Sequence, residues 1–155
     1  MKLFYKKNTR GITLVEILVV VAIIVIILSI ALPEFGKIRE NQVFKNTVED
    51  ALSALDQAKS QTLASIDSSE YGVFFDSDKM VIFKGTVYSA GSADNQEVEI
   101  SSPASISDVT LFGGGDELYF SRLYGVPNKT GTITISTPNY SKIITIGATG
   151  IVSVN

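Results

Sequence analysis

The apolar positions of this chain fall into two unlike patterns. From Ile12 to Leu32 almost every residue is aliphatic (ITLVEILVVVAIIVIILSIAL), and Glu16 is the single charge. In a helix these 21 residues span roughly 30 Å, the hydrocarbon thickness of a bilayer. A soluble core helix rarely runs this far without a polar face, so the stretch predicts a membrane span. Beyond Pro33 the apolar residues thin to a stripe. Phe44, Val48, Ala51, Leu55, Ala58 and Thr62 recur at steps of three and four, one face of a helix widened by Leu52. Asn41, Lys45, Glu49, Asp56 and Lys59 fall on other faces. Together the patterns predict one long helix over 12–65. Residues 12–32 would lie in lipid and residues 33–66 would be amphipathic. Pro33, which has no backbone donor, is expected to kink it.

Asp67-Ser68-Ser69 breaks the helix, and the period then changes to two. Tyr71 to Phe75 and Met80 to Phe83 read as strands joined by the turn Asp76-Ser77-Asp78. A loop of that length supplies too few oxygens for Ca²⁺. Val98 and Ile100 alternate with Glu97 and Glu99, a half-exposed strand. Ile106 to Phe112 is another, with Val109 and Leu111 on one face. Gly113-Gly114-Gly115-Asp116 turns into Leu118-Tyr119-Phe120; because no helix follows, the glycines do not read as a phosphate cradle. Gly131 to Ser136, Lys142 to Ile146 and Ile151 to Val154 complete the set, the last two joined through Gly147-Ala148-Thr149-Gly150. The fold class is therefore α+β. A long N-terminal helix packs on an antiparallel β-sheet domain occupying residues 67–155.

Composition narrows the chemistry. The 155 residues include no Cys and no His, which excludes a disulfide framework, a thiolate nucleophile, a zinc cluster and an imidazole base. Glu97 and Glu99 share an exposed strand face, and Asp116 and Glu117 flank a turn. Neither pair sits in apolar surroundings that would tune a carboxylate for catalysis. No catalytic, cofactor-binding or metal residues are expected, and the chain does not read as an enzyme.

Charge orients the front end. Lys2, Lys6, Lys7 and Arg10 precede the span, and Glu34, Lys37, Arg39 and Glu40 follow it with no net charge. The positive-inside rule puts the N-terminus in the cytoplasm and the bulk of the chain outside. Without residues 1–11, nine basic residues face sixteen acidic ones, a net of −7, which argues against non-specific nucleic-acid binding. The apolar run is too long for a cleaved secretory signal, and no small-residue cut site follows Leu32. The break in composition lies ahead of the run, at Arg10-Gly11-Ile12. Glu16 is costly in a membrane helix and finds no partner on its own helix, so a positive group on another molecule would explain it.

A lysine-rich leader, Gly11, then Ile12-Thr13-Leu14-Val15-Glu16 and an apolar helix resembles the prepilin signature of type IV pilins and type II secretion pseudopilins. Ile12 departs from the commonest residue there, Phe; Pro33 sits where many members carry a helix-kinking proline. The strand-rich second half, with Gly-x-Pro, then Gly-Thr-Ile-Thr-Ile and a terminal hairpin, looks most like the H-type minor pseudopilins and related minor pilins. The calcium-binding loop of the major pseudopilin has no clear match. The resemblance implies cleavage of the 1–11 leader between Gly11 and Ile12 by a prepilin peptidase, and N-methylation of the new Ile12 amine. It also implies pairing of Glu16 with the Ile12 amine of a neighbouring subunit. The partners implied are other pilin or pseudopilin subunits, the inner-membrane platform of the assembly machine, and membrane lipid before assembly. The protein would cross the inner membrane once and later enter a periplasmic or extracellular filament.

Three functions follow from this reading. The first is a structural subunit, minor rather than major, of a type IV pilus or type II secretion pseudopilus. The second is a tip subunit that contacts a surface, secreted cargo or DNA through the loops at Ser89–Asn95 or Gly113–Asp116. The third is a membrane-anchored domain that never polymerises.

Overall fold

The computed structural model describes residues 11–155; the leader, residues 1–10 with Lys2, Lys6, Lys7 and Arg10, lies outside the described residues. One helix, α1, runs from Leu14–Leu63 and is followed by eight strands. The backbone is helical through Pro33. A proline there leaves the Ser29 carbonyl without its usual donor, and the Ser29 hydroxyl donates to the Ile26 carbonyl one turn back, at 2.8 Å. The chain divides into two compact units, Met1–Ile38 and Arg39–Asn155.

In the second unit the helix buries the face that its spacing predicts. Phe44, Val48, Ala51, Leu55, Ala58 and Thr62 are all buried, and Ala54 joins them. Three of these are alanines, and a stripe of small side chains lets the helix backbone lie close to the strands beneath it. Thr62 closes the stripe. Its hydroxyl donates to the Ala58 carbonyl at 2.8 Å and accepts from the Tyr71 N–H at 2.9 Å. A buried backbone donor at the start of the first strand is thereby satisfied. The helix gives way to a 3₁₀ turn, Ile66–Ser68, in which Ser65, Asp67 and Ser68 adopt left-handed backbone angles.

The strands form two four-stranded antiparallel sheets where the alternation alone suggested one. They are β1 Tyr71–Phe75, β2 Lys79–Lys84, β3 Gln96–Glu99, β4 Ser105–Leu111, β5 Glu117–Phe120, β6 Gly131–Ser136, β7 Ser141–Ile146 and β8 Val152–Val154. The first sheet has the order β3-β2-β1-β5 and the second β4-β6-β7-β8. The chain passes from the second sheet back to the first through Gly113-Gly114-Gly115, all three at positive φ, a path that other residues would strain to follow. Period-two patterning reports which face of a strand is buried, but not which sheet it joins. Phe112, assigned to β4 by its hydrophobicity, lies beyond the strand end and is 85% exposed. In β4 a bulge between Ile106 and Asp108 shifts the register, so that Ile106 and Leu111 are both buried despite odd spacing.

Helix and both sheets share one core, which includes Leu55, Phe75, Met80, Phe120, Ile133 and Ile144. The opposite face of the first sheet is also covered. Tyr88 stacks on Phe74 at 4.1 Å and meets Phe83 edge-on at 5.9 Å. Its backbone N–H donates to Glu117 Oε2 at 2.7 Å. That is why β1 and β2 are buried along nearly their whole length instead of alternating. Gly72 makes room for this layer. A Cβ there would collide with the Leu118 carbonyl and the Phe83 ring.

Glu40 fastens the helix to the β6–β7 turn, accepting from Asn139 N–H at 3.0 Å and from Asn139 Nδ2 at 2.7 Å. Hydrogen bonds from Thr137 and from Asn139 hold its carboxylate below the ordinary value of 4.5.

Two measurements check this packing. Gly72→Ala should destabilise the full chain by about 1–3 kcal/mol in chemical denaturation, since Cβ overpacks against a fixed carbonyl; an unchanged midpoint would contradict the assigned contact. Because the folded Glu40 pKa is depressed, its contribution to stability is present above the unfolded value and is lost as pH falls through the folded one. The stability gap between wild type and Glu40→Gln should therefore be full at neutral pH and close in acid, as read from denaturation midpoints across the pH range. A gap that stays constant with pH would contradict it.

Candidate functional site

The first described turn of the chain carries the residues that the sequence singles out. Gly11 is exposed, and nothing lies within 4 Å of where a Cβ would stand. Among the described residues, nothing therefore crowds the backbone at Gly11. Ile12 is 72% exposed and precedes the helix. Thr13 stands at the N-cap. Its hydroxyl accepts the Glu16 N–H at 3.2 Å, and its carbonyl accepts the Ile17 N–H at 3.3 Å.

Thr13-Leu14-Val15-Glu16 is thus a capping sequence, S/T-x-x-E, at a helix start. The sequence placed Thr13 in the motif without marking it as a cap, although this spacing was there to show it. The cap fixes where the helix begins. It also places Glu16 in the first turn, where the helix dipole presents positive charge to a carboxylate. Glu16 is exposed, and its carboxylate holds no partner among the described residues. A cut after Gly11 would create an amine two residues ahead of Leu14, at the same end of the helix as Glu16.

The next turns have no cover. Between Ile12 and Leu32, 16 large aliphatic side chains stand exposed, from 48% at Leu28 to 80% at Leu14. At roughly 1.5–3 kcal/mol for burying each, the apolar surface is worth tens of kcal/mol. A domain's whole stability is about 5–15 kcal/mol. This surface is therefore covered by lipid or by other chains, and the helix is long and apolar enough to cross a membrane. Pro33 lies at the lower end of the aliphatic run, inside the same helix.

The remaining acids serve local structure. Asp76 Oδ1 accepts the Ser77 N–H at 2.7 Å, so the Asp76–Asp78 segment is a turn closed by its own side chain. Glu97 pairs with Lys79 at 3.1 Å, and Asp67 with Lys84 at 3.0 Å.

These features define a class: a chain headed by a capped helix long and apolar enough to cross a membrane. The prokaryotic N-terminal methylation motif matches residues 6–32. No curated protein and no solved structure matches the chain. That motif, at the head of a helix that packs on antiparallel sheets, supports a pilin- or pseudopilin-type chain. The motif implies processing by a prepilin peptidase and assembly with other pilin-type subunits.

The cap gives a direct test. In detergent micelles, Thr13→Val should speed amide hydrogen exchange at Glu16 and Ile17 and cost the first turn about 1 kcal/mol, while Thr13→Ser should retain protection. Equal protection in both variants would show that Thr13 does not set the helix start.

Proposed function

We propose that this chain is a structural, non-catalytic subunit of a type IV pilus or type II secretion pseudopilus, present as a minor component. The leader is cut after Gly11 and the Ile12 amine is methylated. The span is held in the inner membrane with its N-terminus in the cytoplasm, the orientation that the leader's four basic residues favour. On assembly, the helix exchanges lipid neighbours for helices of other subunits, and Pro33 lets it bend as it does so. Glu16 pairs with the amine of Ile12 on an adjacent subunit.

One observation carries this reading. An uncovered aliphatic helix bears a lone carboxylate in its capped first turn, without a partner among the described residues and five residues past Gly11, within the stretch that matches the methylation motif. A simple anchor has no use for that acid. In a dry filament core the acid requires a cation, and the new amine supplies one of the right charge at the right end of the helix. Lipid and a helical bundle are both apolar, so the same residues serve the stored and the assembled state.

Replacing Gly11 with Leu should leave an unprocessed chain of slower electrophoretic mobility. Glu16→Ala should be processed normally, yet its incorporation into filaments should fall by at least about tenfold, as expected when one partner of a buried ion pair is removed. Normal incorporation of the Glu16→Ala chain would refute the pairing. Copies per filament, counted by quantitative mass spectrometry, separate a minor subunit from a major one.

A further inference from the structure

The stripe that packs α1 on the sheets has a further member in the sequence that the structure leaves out. Ile66 follows Thr62 by four residues, the same step that links Phe44 to Val48 and Ala58 to Thr62. A helix continued by one turn would carry Ile66 on the buried face. Instead α1 ends at Leu63, and Ile66 is 44% exposed. The backbone is what turns it out. Ser65 (φ 50°), Asp67 (φ 49°) and Ser68 (φ 53°) are all left-handed, and none is glycine. Each such residue disfavours a conformation by a factor of roughly ten against its right-handed alternative. Strain of this kind persists only where surrounding groups hold it.

Two side chains from distant segments hold this turn. Arg122 Nη1 donates to the Ser68 carbonyl at 2.7 Å, and Lys84 Nζ meets Asp67 Oδ2 at 3.0 Å. Both donors are charged, which strengthens the bonds. Within the turn, Ser68 N–H donates to the Ser65 carbonyl at 3.0 Å and Ser69 N–H to the Ile66 carbonyl at 3.1 Å. The loop that carries Arg122 is itself seated on the helix end, for a Cβ on Gly125 would stand 3.1 Å from Leu63 Cδ2. Leu123 and Tyr124, between those two contacts, are 82% and 77% exposed. The held turn therefore leaves Leu63, Ile66, Leu123 and Tyr124 open to solvent at one end of the unit.

The chain has room for a different ending. Thr62 Oγ1 anchors the Tyr71 N–H at 2.9 Å. In a continued helix Ile66 would stand one turn, roughly 6 Å, beyond Thr62. The stretch from Ile66 to Tyr71, fully extended, reaches roughly 17 Å. The extra turn thus fits while Tyr71 stays on Thr62.

We propose that Ser65–Ser68 is a two-position latch at the end of α1. Held by Arg122 and Lys84, it stops the helix at Leu63 and turns Ile66 outward. Released, it lets the helix run on through Ile66, which joins the stripe next to Thr62 and leaves the exposed group. Three strained residues favour release and two ties oppose it, so anything that engages the Arg122 or Lys84 side chain elsewhere shifts the balance. The latch lies wholly within the second unit and does not depend on polymer formation.

NMR couplings and chemical shifts of the full-length chain in detergent micelles report the backbone angles at 65, 67 and 68. The wild type should show the left-handed turn. Arg122→Met with Lys84→Met keeps both apolar stems and removes both ties. The pair should shift the balance from turn to helix at least about tenfold, as loss of a hydrogen bond to a charged group does. Helical contacts should then appear between Thr62 and Ile66, while the amide signals of β6 and β7 stay in place. Adding Ser65→Gly and Ser68→Gly should restore the turn, because glycine adopts left-handed angles freely; Ser65→Ala and Ser68→Ala should not. A turn that stays left-handed without Arg122 and Lys84 overturns the role of the ties. A segment that becomes irregular instead of helical overturns the second position. Glycines that fail to restore the turn overturn strain as the opposing force. All of these readouts are taken on the unassembled chain, so they leave the assembly reading untouched.

Discussion

The constraint behind everything else is that an aliphatic helix cannot stand in water. The 16 uncovered side chains between Ile12 and Leu32 represent more free energy than the folding of the rest of the chain can offset. Some apolar phase must accept them at every stage of the protein's life. A bilayer is one such phase, and a bundle of like helices is another. Between the two the apolar contribution is nearly balanced, which lets a polar interaction choose. Glu16 is the only charge on the run, and it sits where the cap at Thr13 holds it, in the first turn. A carboxylate that reaches water in one state and meets an amine in the other can bias that choice.

The helix continues into a different solvent without interruption. From Phe44 to Thr62 it presents a stripe to two sheets, and alanines at 51, 54 and 58 set how closely they pack. Thr62 ties its far end to β1, and Glu40 ties its near end to the β6–β7 turn. Single polar side chains thus fasten each end of the packed stretch, while apolar packing between them supplies most of the stability. The division of labour follows from the sequence: aliphatic all round where the surroundings are apolar, apolar on one face where only one face meets strands.

Most of the fold was readable because its signals are periodic. The steps of the helical stripe name the buried residues one by one, and period two names the strands from Tyr71 onward. What was not readable depended on contacts between distant segments. Two sheets share the strands, and nothing in the local pattern of β4 and β5 says that they part company at Gly113. The bulge after Ile106 and the ejection of Phe112 have the same origin, since both are set by pairing with β6. At the front end, Gly11, Ile12 and Glu16 stood out because composition breaks there. Thr13 did not, since its hydroxyl looks like any other polar residue until its place before a helix is considered. The tie between Glu40 and Asn139 was invisible because it joins residues 99 positions apart in the chain.

The claim that unites these features is that the N-terminus is remade before the helix is used. Mass spectrometry of the mature chain, isolated from membranes of cells that carry a prepilin peptidase, tests it most directly. The N-terminal peptide should begin at Ile12 and carry one added methyl group on its amine. A mature chain that still begins at Met1 would make the apolar run a simple anchor and contradict the assembly mechanism.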